Sequence, residues 1–124
     1  VYVSSGAEGG DGSESSPFGD LQSAFAAARS GDTIACEPGH YPSTNNVGLE
    51  LRHDLLEVTL LPTTSEKFVK IDLSDNGKNP FLTADIDNFM VVISSFKFSG
   101  QPQGNIIQAS GSGDLTISNC EFEK

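Results

Sequence analysis

The sequence predicts an all-β solenoid, a right-handed parallel β-helix of about three to four rungs with one N-terminal capping α-helix. Three observations carry this expectation. A block of alternating apolar residues recurs at an offset of 24 residues near the end of the chain. The runs between breakers are short and rich in β-branched and aromatic side chains. Only one stretch of the 124 residues has helical spacing. Strands this short cannot bury an apolar face singly, but equivalent strands stacked in parallel make one continuous core.

Taken in order, residues 4 to 16 (SSGAEGGDGSESS) hold no apolar side chain larger than alanine and read as a surface loop. The next stretch sets Leu21, Ala24, Phe25 and Ala28 at i, i+3, i+4 and i+7, with Pro17 before it and Gly31 after it. That spacing predicts a helix over about 18–29. Residues 1–32 would form the N-terminal cap and 33–124 the rungs of a single β-helix domain. The helix is expected to lie across the first rung and cover its unpaired edge.

The repeat sets the rest. In VVISSFKFSG (91–100) and LTISNCEFEK (115–124), Val91, Ile93, Phe96 and Phe98 fall on Leu115, Ile117, Cys120 and Phe122. Leu82 and Ala84 match Ile107 and Ala109 at an offset of 25. One repeat earlier, Leu49 and Leu51, Val58 and Leu60, and Val69 and Ile71 supply the same three columns, and Ile34 and Cys36 lie 24 residues before Val58 and Leu60. The intervening PGHYP, SDNGKNP, SGQPQG and SGSGD segments read as turns or loops. Phe98 is expected to stack on Phe122. Cys36 and Cys120 face inward three rungs apart, too far for a disulfide, and are expected to be two buried free thiols. Leu115, Ile117, Cys120 and Phe122 should stack under a further rung. That rung would come from more of the same chain, making 1–124 the N-terminal part of a longer solenoid, or from another copy.

Composition narrows the function classes. Seventeen acidic against seven basic residues give a net charge of −10, which disfavours nucleic acid and anionic lipid as partners. Apolar residues make up 36% of the chain with a mean hydropathy of −0.20, and no apolar run approaches the roughly 18 residues of a membrane span. No signal peptide and no Asn-x-Ser/Thr acceptor is present in this segment.

Residues 2–41, YVSSGAEGGDGSESSPFGDLQSAFAAARSGDTIACEPGHY, carry a YVSS start, a DG-rich loop, a Pro-Phe helix start, an Ala-rich helix, then GDTI and PGxY. This pattern resembles the N-terminal cap and first rung of right-handed β-helix proteins of the pectin-lyase-like superfamily. The resemblance implies an extracellular or cell-surface protein. It leaves open polysaccharide lyases, adhesin-like passengers and surface proteins without catalysis. In the lyase members, acids on one outer face hold Ca²⁺ or neutralise a uronate while a Lys or Arg abstracts a proton.

On the first strand of each rung the outward residues include Glu50, Arg52, Thr83, Asp85, Gln108 and Ser110, with His53 nearby. Glu50, Arg52, Asp85 and Gln108 are the candidate substrate-binding residues, with Arg52 expected to pair with Asp85 and Glu50 across rungs. The plainer alternative is a solvated face with one ion pair. Full lyases of this shape place their catalytic groups on more central rungs, so no catalytic residue is assigned. Asp72, Asp75, Asp85 and Asp87, with Asn76 and Asn88, are candidate Ca²⁺ ligands, although DLSDNG lacks the full Ca²⁺-loop pattern and Asp and Asn suit turns anyway. No other cofactor is expected. His40 and His53 read as surface residues. The Lys70, Lys97 and Glu121 column, beside Asp72, Ser99 and Glu123, reads as a mixed-charge solvated ladder.

Three functions follow from this reading. The favoured one is a non-catalytic structural, adhesive or fibre-forming module. The others are the N-terminal portion of a polysaccharide lyase or other carbohydrate-active enzyme, and a carbohydrate-binding module. The missing acid/base constellation leans against catalysis.

Overall fold

The computed structural model describes residues 1–43, 45–64, 67–73, 80–100 and 106–122. Among the described residues the chain is mostly β, with one helix and three parallel sheets. The elements are β1 (Tyr2–Val3), α1 (Leu21–Ala27), β2 (Asp32–Cys36), β3 (Gly39–Tyr41), β4 (Leu49–Glu50), β5 (Glu57–Pro62), β6 (Val69–Asp72), β7 (Leu82–Ala84), β8 (Phe89–Ser94), β9 (Phe96–Ser99), β10 (Ile107–Ala109), β11 (Gly113–Ser118) and β12 (Glu121–Phe122). The first sheet runs β1-β2-β5-β8-β11, the second β3-β6-β9-β12 and the third β4-β7-β10. After α1 the chain visits the three sheets in the same order in each successive repeat.

Register follows the apolar columns. Leu115 and Ile117 pair with Val91 and Ile93, Phe122 with Phe98, and Ile107 and Ala109 with Leu82 and Ala84. Val58 and Leu60 pair with Val91 and Ile93, Val69 and Ile71 with Phe96 and Phe98, and Leu49 with Leu82. In β5, β6, β8 and β9 the inward residues are buried and alternate with exposed or half-buried ones, whereas those of β10 to β12 are half-buried or exposed. Within the inward cluster the phenylalanine rings meet one another directly. Phe81 meets Phe98 edge-on at 4.9 Å and Phe96 at 6.3 Å, and Phe98 stacks on Phe122 at 5.4 Å with only 14° between the rings.

The tight turn between the first and second sheets repeats as well. Ser95 and Asn119, at the same position of successive repeats, both adopt the left-handed conformation (φ 58° and 54°). The Asn119 amide donates to Ser95 Oγ at 3.1 Å, so one turn holds the next. Asparagine tolerates this region because its short polar side chain bonds locally.

Four expectations need correction. The helix spans Leu21–Ala27 rather than 18–29, because Asp20 caps it: extended at φ −155°, it accepts from Ser23 N at 2.7 Å. Phe18 instead forms a parallel bridge to Val3. Secondly, Ile34 and Cys36 pair with Leu60 and Pro62, two residues beyond the expected register. Alternation specifies which face a residue takes, and a two-residue shift preserves the face. Thirdly, PGHYP contains β3, whose Tyr41 is fully buried and registers on Ile71. Pro38 and Pro42 are tolerated because β3 is the edge of its sheet. Fourthly, the edge of β2 is covered by β1, while α1 packs against β1 and β4.

The glycine-rich loop lies against this start of the sheet. Tyr2 N donates to Gly12 O at 2.8 Å and Ser4 N to Phe18 O at 2.8 Å. Gly10 and Gly19 approach so closely that a β-carbon would strike the carbonyl oxygens of Pro17 and Ala7.

Phe81 is fully buried, so Phe81→Ala should lower the unfolding free energy by about 3–5 kcal/mol. Phe98→Leu, which keeps an apolar group but loses the ring contacts, should cost about 1 kcal/mol. Urea denaturation of both variants checks the ordering.

Candidate functional site

The outer face of the third sheet brings together part of the expected substrate set. Glu50, Thr83 and Gln108 occupy one outward column, because β4, β7 and β10 pair in register there. Glu50, Leu51, Thr83 and Asp85 line a groove of about 230 Å³. Two carboxylates, Glu50 on β4 and Asp85 just after β7, thus share an open groove with the Thr83 hydroxyl.

Arg52 is directed elsewhere. Its Nε contacts Asp54 Oδ1 at 2.6 Å, and its Nη2 donates to Ala28 O at 2.8 Å and Ala26 O at 3.4 Å. Arg29 reaches the same helix end, donating to Ala28 O at 2.9 Å, and lies 3.9 Å from Asp54. The last carbonyls of a helix have no partner within the helix and carry partial negative charge, so two guanidinium groups stabilise this end. The expected pairing of Arg52 with Glu50 and Asp85 is therefore not formed. The opposite end is closed with equal completeness: Leu21 N donates to Asn46 Oδ1, Gln22 N to Asn45 O and Ser23 N to Asp20.

The aspartates read as metal candidates are dispersed. Asp85 accepts from Ser110 Oγ at 2.6 Å, and Asp87 from Ser112 N at 3.0 Å and Ser112 Oγ at 3.2 Å. These are equivalent turn positions one repeat apart, and Gly111 between the serines sits hard against the Ile86 carbonyl. The serines satisfy the acids across the repeat. Asp72, on the second sheet, lies 3.4 Å from His40 Nε2. Asp75 lies outside the described residues. Among the described residues no group of three or more His, Cys, Asp or Glu side chains is placed to hold a metal ion.

The thiols are free. Cys36 is fully buried, and burial pushes its thiol from 9.0 up to about 12. Cys120 is only partly buried, unlike the expected pair of buried thiols. Tyr41 donates its hydroxyl to Glu37 O at 2.8 Å, and burial raises its ionisation well above the ordinary 10.0.

One groove was not anticipated from the sequence. Pro38, Gly39, Lys67, Phe68, Lys70 and Lys97 line about 340 Å³ on the outer face of the second sheet. Lys97 Nζ sits 4.6 Å from the Phe68 ring centre and 3.1 Å from Glu121. The column of Lys70, Lys97 and Glu121 was legible as a surface ladder. Lys67 and Phe68 precede β6 and fall outside the alternation, so only the fold brings them to it. No protein-family model, curated protein or solved structure matches the chain.

Arg52→Ala should destabilise the fold by about 1 kcal/mol, with Arg52→Lys restoring only part, because an ammonium cannot span two carbonyls and a carboxylate as a planar fork does. Urea unfolding of the two variants measures this. For Cys36, the unfolded chain loses its thiol proton from about pH 9 while the folded chain holds it to about pH 12, so the folded state binds the extra proton in that window. Stability should therefore fall as pH rises from 9 towards 12, and less steeply in Cys36→Ala. Native-state labelling with a small thiol reagent near pH 8 should modify Cys120 rapidly and Cys36 only on unfolding.

Proposed function

We propose that the chain is a non-catalytic structural or adhesive module, built as a right-handed parallel β-helix of the pectin-lyase-like kind and acting outside the cell or at its surface. The solenoid reading is supported by the order in which the strands visit the sheets and by the in-register stacking of like residues. Right-handedness is supported by the strong general preference of parallel connections for that hand. The cap pattern of residues 2–41 supports the superfamily and the extracellular setting.

The observation that carries the non-catalytic reading is the position of Arg52. A lyase-type site needs a base beside the acids that bind the substrate. Arg52 is held by Asp54 and the end of α1, and among the described residues the groove of Glu50 and Asp85 is lined by no cationic side chain. Leu115, Ile117 and Phe122 stand 37%, 41% and 54% exposed on the last described strands. They would be covered by a further repeat of the chain or by another copy, which is the contact a fibre-forming or modular protein uses.

Incubated with polygalacturonate or a neutral glucan, with and without Ca²⁺, the chain should generate no new reducing ends. Cleavage that disappears in Glu50→Gln or Asp85→Asn would overturn the reading in favour of an enzyme.

A further inference from the structure

We propose that the outer face of the first sheet docks a second copy of this chain, the two stacks lying side by side and pointing the same way. The inference goes beyond the reading above, because it concerns one side of the stack rather than its open end.

The outward positions of the five strands fall into three columns. Thr33, Thr59, Val92 and Thr116 register directly on one another through the middle of the face. Tyr2, Ala35 and Leu61 stack along one margin, which Ser94 and Ser118 continue on β8 and β11. Glu57, Met90 and Asp114 stack along the other margin. Among the described residues, Glu57 and Asp114 are the only charged side chains in these columns. The second sheet is the opposite case, with His40, Lys70, Asp72, Lys97 and Glu121 on its outer face. A chain of 17 acids and seven bases thus leaves the middle and one margin of its largest sheet uncharged. β-propensity accounts for the threonines and Val92, which suit any outward strand position. It does not account for Leu61 and Met90. Leu61 is only half-buried, and Met90 stands 49% exposed, away from the open end of the stack. Met90, Val92, Leu61, Ala35 and Tyr2 are successive neighbours across the sheet, and a continuous apolar run of this kind marks a contact surface.

The chemistry of the face selects a second copy as the occupant. A threonine hydroxyl both donates and accepts, so the central column can meet its own copy and leave no hydroxyl without a partner. That self-complementarity is what a two-fold contact requires. Two chains of net charge −10 repel at long range, but charges more than about 8 Å apart are screened at physiological salt. What the contact itself juxtaposes therefore decides. Two second sheets would set Lys70 and Lys97 against lysines, whereas two first sheets meet through hydroxyl and apolar groups. Charge also fixes the direction. A two-fold axis running along the stack through the threonine column sets Glu57 and Asp114 opposite the uncharged margin of the other copy. An axis running along the strands would set these acids against each other. The face spans four strand spacings of about 4.8 Å by six residues at about 3.3 Å, roughly 400 Å² per copy. Twice that falls short of the roughly 1,000 Å² of a lasting interface, so the contact is reversible, with a dissociation constant on the order of 0.1 mM. Copies displayed together at one surface would use it through multivalency.

Sedimentation equilibrium of the intact chain tests this. The mass should rise towards that of a dimer near about 0.1 mM, and rise further with added salt, which screens the repulsion between copies. Val92→Glu brings like charges together across the axis and should weaken association about tenfold or more, while Val92→Thr should stay within about threefold. Phe122→Glu, at the open end, should leave it unchanged. In a Cys120→Ser background, a bis-maleimide spanning about 10 Å, the separation of packed sheets, should link Thr59→Cys to its copy but not Gln108→Cys on the third sheet. Met90→Cys mixed with Ser94→Cys should link across the pair faster than Met90→Cys links to itself. A chain that stays monomeric up to about 1 mM would overturn the proposal. So would a loss in Phe122→Glu as large as that in Val92→Glu, or linking of Gln108→Cys as fast as of Thr59→Cys. Met90→Cys linking to itself faster than to Ser94→Cys would overturn the parallel arrangement. A chain monomeric in solution whose binding to phosphatidylcholine vesicles is abolished by Val92→Glu would assign a lipid surface instead. The non-catalytic reading is tested separately by the release of reducing ends and survives any of these outcomes.

Discussion

A strand of two to six residues has too little apolar surface to hold itself in place, and the whole chain is organised by that limit. The inward side chains of β4 to β9 are buried against their counterparts in the neighbouring repeat and against the other two sheets. Parallel, in-register pairing is what makes the counterparts meet, so the backbone ladder and the core are one interaction seen from two sides. The phenylalanines show the consequence. Phe98 lies between Ile71 and Phe122 along its own column and touches Phe81 across the interior. Removing one ring therefore loosens contacts along the stack and across it.

A stack of this kind needs a start, and most of the irregular structure supplies one. β1 pairs with β2, the segment around Phe18 runs beside β1, and the glycine-rich loop folds over both. α1 is too short to be stable alone, at seven residues, and depends on its ends being satisfied by groups from the first full repeat. Asn45 and Asn46 take its first N–H groups, and Arg52 takes its last carbonyls. The cap and the repeat beneath it are thus fastened at both ends of the helix. Arg52 bonds there are incompatible with a role as a base above the third sheet.

The three columns were legible because period-two alternation and a nearly constant offset are properties of sequence. Val91 with Leu115, Leu82 with Ile107 and Phe98 with Phe122 all meet as their spacing implies. What alternation does not encode is translation along a strand by an even number of residues, which is why Ile34 lands on Leu60. Nor does it reveal strands whose punctuation looks like a turn. Tyr41 between two prolines reads as loop until its burial over Ile71 is seen. The candidate site was legible to the same degree. Glu50, Thr83 and Gln108 share a column because they share a parity, while the direction of the long Arg52 side chain depended on a helix end more than twenty residues away in the chain.

The two grooves differ in how their charges are answered. Above the third sheet the repeats provide their own partners: Ser110 and Ser112 donate to Asp85 and Asp87, so the carboxylates tie successive turns together. Above the second sheet Lys97 is matched by Glu121, but Lys67 and Lys70 are not matched by any described acid, on a chain with acids in excess. The outward residues of a stacked sheet are under little packing constraint, so their charges differ from groove to groove while the inward columns beneath them stay apolar.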